Sequence, residues 1–164
     1  MIYTDKTKKS LKLCFEAHKD QLDKSGLPYV FHPFHLAEQM ETEETIIVAL
    51  LHDVIEDTDY TIDDLTNMGF DKAVTDAIAL MTHAHGVEYM DYVLEIKKNP
   101  IAKAVKLADL KHNSDVSRLD TVDENALARR EKYLKAIQLL NDWAKISPTA
   151  MHSNPRRLLG GGCY

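Results

Sequence analysis

Glu43-Glu44-Thr45-Ile46-Ile47-Val48-Ala49-Leu50-Leu51-His52-Asp53-Val54-Ile55-Glu56 reads as one helix that is apolar nearly all round. A helix with aliphatic residues on every side belongs at the centre of a fold. Its uninterrupted aliphatic run, Ile46 to Leu51, is six residues long, far below the roughly 20 needed to cross a bilayer. The polar end of this helix is the unusual part. Helical spacing stacks His52 with Glu56, and Asp53 with Asp57. A charged, unpartnered Asp53 between Leu51 and Val54 would be very costly. A divalent cation relieves that cost, with imidazole and carboxylate as adjacent ligands.

Working outward, helical patterns follow one another with short turns between them. A first helix is expected from about Thr4 to Leu22, with Leu11, Phe15, His18 and Leu22 on its inner stripe. Lys24-Ser25-Gly26-Leu27-Pro28 ends it, and a short helix starts near Pro33. Thr61 to Asp64 resembles a capping box, and Asp71 to Met81 forms the next helix. His83-Ala84-His85-Gly86 is expected as a solvent-exposed loop, so the His83/His85 pair is not favoured as a metal site. Val87–Lys98 and Pro100–Leu119 follow, broken at Asn99-Pro100. Thr121 to Glu124 fits a capping box that opens a helix with Leu127, Leu134, Ile137 and Leu140 at a near-3.6 repeat. No alternating strand pattern occurs. The expectation is an all-α, compact single domain of seven or eight helices over residues 1–146, with 147–164 as a flexible tail.

The 164-residue length suits one domain. The net charge of −6 argues against a general nucleic-acid binder. No membrane span and no apolar signal region at MIYTDKTKKS are seen. Cys14 and Cys163 are the only cysteines; two thiols make neither a disulfide scaffold nor a four-cysteine zinc site and fit a reducing cytoplasm. Charge is unevenly spread. Glu38 to Asp71 holds eleven Asp/Glu and no Lys or Arg, whereas 97–118 holds five Lys and one Arg against two Asp. Some of the acidic block is expected to point inward, beside the aliphatic run.

Two positions could complete a metal site with His52 and Asp53. His32 precedes Pro33 at a helix entry, and Asp109 flanks the inward stripe Ile101, Val105, Ala108 and His112. His35, three residues after His32, reads better as an ordinary helix-face histidine. Asn113 shares a face with Asp109. Mixed nitrogen and oxygen ligands suit Mn²⁺, Fe²⁺, Co²⁺ or Zn²⁺.

The blocks Gly26-Leu27-Pro28-Tyr29-Val30-Phe31-His32-Pro33, Leu50–Thr58 and Val105–Asn113 resemble, in order, the hydrolase domain of Rel/Spo alarmone enzymes and the small stand-alone alarmone hydrolases, within the HD-domain phosphohydrolases. The resemblance implies the HD-domain fold and Mn²⁺-dependent removal of the 3′-pyrophosphate from guanosine tetra- or pentaphosphate, a small-molecule nucleotide substrate. By position it implies His32, His52, Asp53 and Asp109 as metal ligands, Glu56 and Asp57 as the catalytic pair beside the attacking water, and Asn113 as a nucleotide contact. The family's synthetase domain is a separate region that this length does not accommodate. Lys24 and Lys106, then Lys19, Lys111 and Arg118, are the cations available to hold phosphates. Tyr29 and Tyr133 are rim or core aromatics that could pack on a nucleotide. Two positions depart from the family pattern: Asp23 stands where an Arg is common, and Asp115 where another often follows the Asn. Arg118, nearly one turn later, could substitute for the second. Competing readings are an HD phosphohydrolase for another nucleotide and a non-catalytic nucleotide sensor. Nothing fixes the oligomeric state.

Overall fold

The helix that decides the fold is central. In a computed structural model that describes residues 1–142, α3 (Glu43–Leu51) buries all six residues from Ile46 to Leu51. It packs against α1 (Asp5–His18), α2 (Phe31–Glu38), α6 (Lys72–Met81) and α8 (Pro100–Ser114). The remaining elements are a single turn α4 (Val54–Asp57), then α5 (Ile62–Asn67), α7 (Tyr89–Lys97), a 3₁₀ turn (Val116–Arg118) and α9 (Glu124–Asn141). Among the described residues the structure is all-α, as expected; the one β contact is an isolated bridge between Leu22 and Pro28. Nine α-helices occur there besides the 3₁₀ turn, one of them the single turn α4. None is long and apolar enough to cross a membrane. The expected domain end at 146 and the tail from 147 lie outside the described residues.

Capping explains several boundaries. Thr4, Thr42 and Thr61 each form a capping box, with Thr7, Thr45 and Asp64 as partners. Asn99 caps α8 ahead of Pro100, whose missing N–H costs nothing in the first turn.

Four expectations need correction. The helix expected over Glu43–Glu56 pauses at His52-Asp53, and α4 resumes it for one turn. The first helix stops at His18, where the Gln21 N–H turns back onto the His18 carbonyl, and Asp23 Oδ1 then accepts from the N–H groups of Ser25 and Leu27 in the following turn. The cap of α9 is Asp123, which accepts from Ala126 N–H, so Thr121 lies outside the helix. The helix expected from Pro100 to Leu119 ends at Ser114, where Asp115 caps the 3₁₀ turn instead.

The inner faces of the first and last helices also differ from the expected stripes. In α1, Thr7, Ser10, Leu13, Cys14 and His18 are buried while Phe15 is 54% exposed. In α9, Ala126, Ala136 and Leu140 are buried, and Leu127 and Leu134 face solvent. Small residues let a helix axis approach its neighbour closely. The buried hydroxyls of α1 are satisfied within the helix, Ser10 Oγ donating to the Lys6 carbonyl at 2.8 Å.

Candidate metal centre and its cleft

The pause after α3 gathers the chemistry. His52 closes α3 and Asp53 caps α4, so both sit at the buried end of the central rod. His32 enters from the first turn of α2 and Asp109 from the third turn of α8. One ligand atom each from His32, His52 and Asp109 lies within 4.8 Å of the others, and all three residues are buried. Asp53 adjoins them: its Oδ2 is 2.9 Å from His52 Nε2 and 3.9 Å from His32 Nε2. His32 Nε2 is 3.3 Å from Asp109 Oδ1.

The donor set is that of a cation site. His52 Nδ1 lies 2.9 Å from the Ala49 carbonyl, which can only accept, so Nδ1 carries the proton. The opposite nitrogen, Nε2, is buried and meets Asp53 at an angle that leaves it without a hydrogen-bond partner. In the neutral ring it presents a lone pair toward carboxylates. Either a proton or a metal ion must reconcile these groups. In the metal-free arrangement the proton does so. Burial lowers the His52 pKa, but the negative charges of Asp53 and Asp109 outweigh it and raise the value to about 9. Burial likewise opposes charge on Asp53, and His52 outweighs it, holding the carboxyl at about 2. For Asp109, burial is overcome chiefly by the Lys106 ammonium, which keeps it well below the usual carboxylate range.

Several side chains support this centre. Tyr29 donates its hydroxyl to Asp53 Oδ2 and packs between the rings of His18 and His32. Lys106 is nearly buried and pairs with Asp109 Oδ2 at 2.8 Å. Asn113 donates to Asp109 Oδ1 at 2.5 Å. Thus both oxygens of Asp109 are engaged from within α8, by residues three before and four after it.

Glu56 and Asp57 are exposed at the rim rather than buried beside Asp53. Glu56 Oε2 accepts the His83 backbone N–H at 3.2 Å, and the His83 ring packs on Tyr92. His83 is therefore half-buried, while His85 is exposed as expected. Partial burial, then Asp53 and Glu56, raise the Asp57 pKa. His35 lies against His112, with ring centroids 4.6 Å apart, and is not among the three clustered ligands.

A cleft of about 240 Å³ opens beside His32, and Lys24, Tyr29, Asn113, Arg118 and Tyr133 line it. Arg129 of α9 lines it too, a residue that sequence reading missed. Burial, then the charges of Arg129 and Lys132, lower the Lys24 pKa, and Lys24 and Arg129 bring positive charge from two distant segments to the cleft. Like charges brought together in this way favour a bound anion. Only the position of Arg129 three residues before Lys132 hinted at it. Arg118 pairs with Asp23 Oδ2 at 3.3 Å, and Asp115 Oδ1 accepts from Ser117 N–H and Oγ–H. Lys19 pairs with Glu16 at 2.9 Å on the surface, and Lys111 is exposed.

No protein-family model matches the chain. It is 30% identical over 135 residues to a Mycobacterium leprae protein named probable GTP pyrophosphokinase, covering 75% of this chain and 17% of that one. It is 30% identical over 145 residues to the guanosine-3′,5′-bis(diphosphate) 3′-pyrophosphohydrolase of Aquifex aeolicus, covering 81% and 20%. It is 32% identical over 113 residues to the bifunctional (p)ppGpp synthase/hydrolase SpoT of Escherichia coli, covering 60% and 16%. The chain spans about a fifth of the length of these curated relatives. A solved structure described as a metazoan orthologue of SpoT that hydrolyses ppGpp aligns with a TM-score of 0.66 at 24% identity, covering 85% of both chains. That likeness establishes the fold.

Proposed function

We propose that this Rel/Spo-type HD domain is a metal-dependent hydrolase that removes the 3′-pyrophosphate from guanosine 3′,5′-bis(diphosphate) or its pentaphosphate form, leaving GDP or GTP. The observation that carries the reading is the convergence of His32, His52 and Asp109 in one buried cluster, with Asp53 against it. Mn²⁺ is the ion we assign, held by these four residues. When bound, it would acidify a water and neutralise phosphoryl charge.

The chain's own residues supply the rest. Lys24 and Arg129 hold phosphates at the cleft wall, and Asn113 reaches the nucleotide while orienting Asp109. Lys106, tied to Asp109, acts on the ligand rather than on a phosphate. Asp57, whose pKa is raised by partial burial and its acidic neighbours, accepts the water proton. Glu56, fixed by the His83 N–H, orients the water. A cytoplasmic setting agrees with the free, buried Cys14 thiol. A second reading, another nucleotide as substrate, is favoured by one observation: Asp23 neutralises Arg118 where the family pattern would add positive charge.

The test is product analysis. Purified protein with Mn²⁺ and ppGpp should release pyrophosphate and leave GDP, and Asp53→Ala should lose the activity by at least about 100-fold. Turnover of a different nucleotide with ppGpp left intact would select the second reading. Unchanged turnover in Asp53→Ala would remove the metal centre from the reaction.

A further inference from the structure

His112 is given no role by the proposed chemistry, yet it touches one of the ligands. His32 Nδ1 and His112 Nδ1 are 2.7 Å apart, which requires one nitrogen to donate and the other to accept. The two rings lie side by side, with centroids 4.9 Å apart and planes only 23° apart. That near-coplanarity suits a hydrogen bond running in the ring planes.

A third group decides its direction. Arg118 Nη1 is 3.2 Å from the same His112 Nδ1. A guanidinium has donors and no acceptor. Were Nδ1 of His112 protonated, its N–H would face the Arg118 N–H groups. With the lone pair there, the His32 N–H at 2.7 Å and the Arg118 N–H at 3.2 Å share it. His32 must then carry a proton on Nδ1, so that Nε2, 3.3 Å from Asp109 and 3.9 Å from Asp53, is the nitrogen left for a metal ion. A ligating imidazole needs that free nitrogen, and the hydrogen bond at its far side sets ring angle and basicity.

We infer that His112 is a positioning residue for His32: its Nδ1, selected as acceptor by Arg118, fixes His32 as the tautomer whose Nε2 is open to a metal ion. The inference rests on the metal-site reading above. Arg118 is itself held by Asp23 Oδ2 at 3.3 Å and lies 3.4 Å from the His112 carbonyl. A line of contacts therefore runs from the cleft wall, Asp23 to Arg118 to His112, into the metal centre at His32. The carboxylate at position 23 thereby has a use here: it steers the guanidinium that chooses the tautomer.

The experiment has two readouts apart from turnover. Nitrogen-15 NMR of the metal-free wild-type protein should find the His32 Nδ1 signal protonated, whether or not Nε2, 3.3 Å from Asp109, carries a second proton. A protonated Nε2 with a bare Nδ1 overturns the inference with no variant needed. Calorimetric titration with Mn²⁺ alone then compares His112→Leu, which removes the acceptor, with His112→Asn, whose amide oxygen can replace Nδ1. The leucine variant should lose about 10- to 100-fold in Mn²⁺ affinity, and the asparagine variant should recover most of it. Wild-type affinity in His112→Leu, with Asp53→Ala unable to bind Mn²⁺, overturns the role of His112 and leaves the metal centre standing. Wild-type protein that takes up no Mn²⁺ overturns both.

Discussion

His52 carries opposite demands in its two states, and these give a signed pH dependence. Without metal, its pKa stands at about 9 against an ordinary value of 6.5. The imidazolium's contribution to stability is therefore full below about pH 6.5 and is lost as pH rises through about 9. A metal ion needs the same nitrogen unprotonated, so binding within that window must expel a proton. Mn²⁺ affinity should rise from about pH 6.5 to about 9, and titration in buffers of different ionisation enthalpy should show proton release. Affinity that is flat over this range would contradict the assignment. Cys14 offers an independent check on packing. Burial, and then the Asp53 charge, push its thiol up to about 12. In a Cys163→Ser protein, an alkylating reagent at mildly alkaline pH should leave Cys14 unmodified until denaturant is added, as read by mass spectrometry. His52 and Asp53 could be picked out from sequence because their spacing is local. The partnership of His32 with His112 spans 80 residues, and no local pattern encodes it. Tyr29 was legible only as an aromatic, since its hydroxyl finds Asp53 through the fold.

At the level of elements, sequence pattern worked where burial was complete and failed where one face was mixed. The aliphatic run of α3 left no alternative to a central helix, and all six of its residues are buried. In α1 and α9 the reading followed the largest apolar side chains, whereas the inner faces are built from small ones such as Ser10, Ala126 and Ala136. Which face of such a mixed helix turns inward depends on the neighbouring helix and is invisible in the segment itself. The same dependence on neighbours appears at Lys97, which is buried in α7. Its ammonium donates to the carbonyls of Leu139, at 2.7 Å, and Asp142, at the C-terminal end of α9. The last carbonyls of a helix are favourable acceptors, and a cation there complements the helix dipole. Lys97→Met should cost about 1.5–3 kcal/mol in chemical denaturation, with fraying concentrated in the last turn of α9. A smaller loss spread over all helices would mean that the lysine anchors nothing.

Over the whole molecule, the all-α fold, the four proposed ligands and five residues of the cleft beside them (Lys24, Tyr29, Asn113, Arg118 and Tyr133) were legible in the sequence, while Arg129 was not. The cations of that cleft come from Lys24, before α2, Arg118, in the 3₁₀ turn, and Arg129, on α9, which only the folded chain brings together. The ligands have unequal anchorage. His52 hangs from a rod enclosed by four other helices, whereas His32 enters by the first turn of an eight-residue helix. Deuterium exchange should accordingly be slowest at the amides of 46–51 and faster around α2. The escape of a captured ion would then be timed by the breathing of that peripheral gatepost, with the inner jamb standing still.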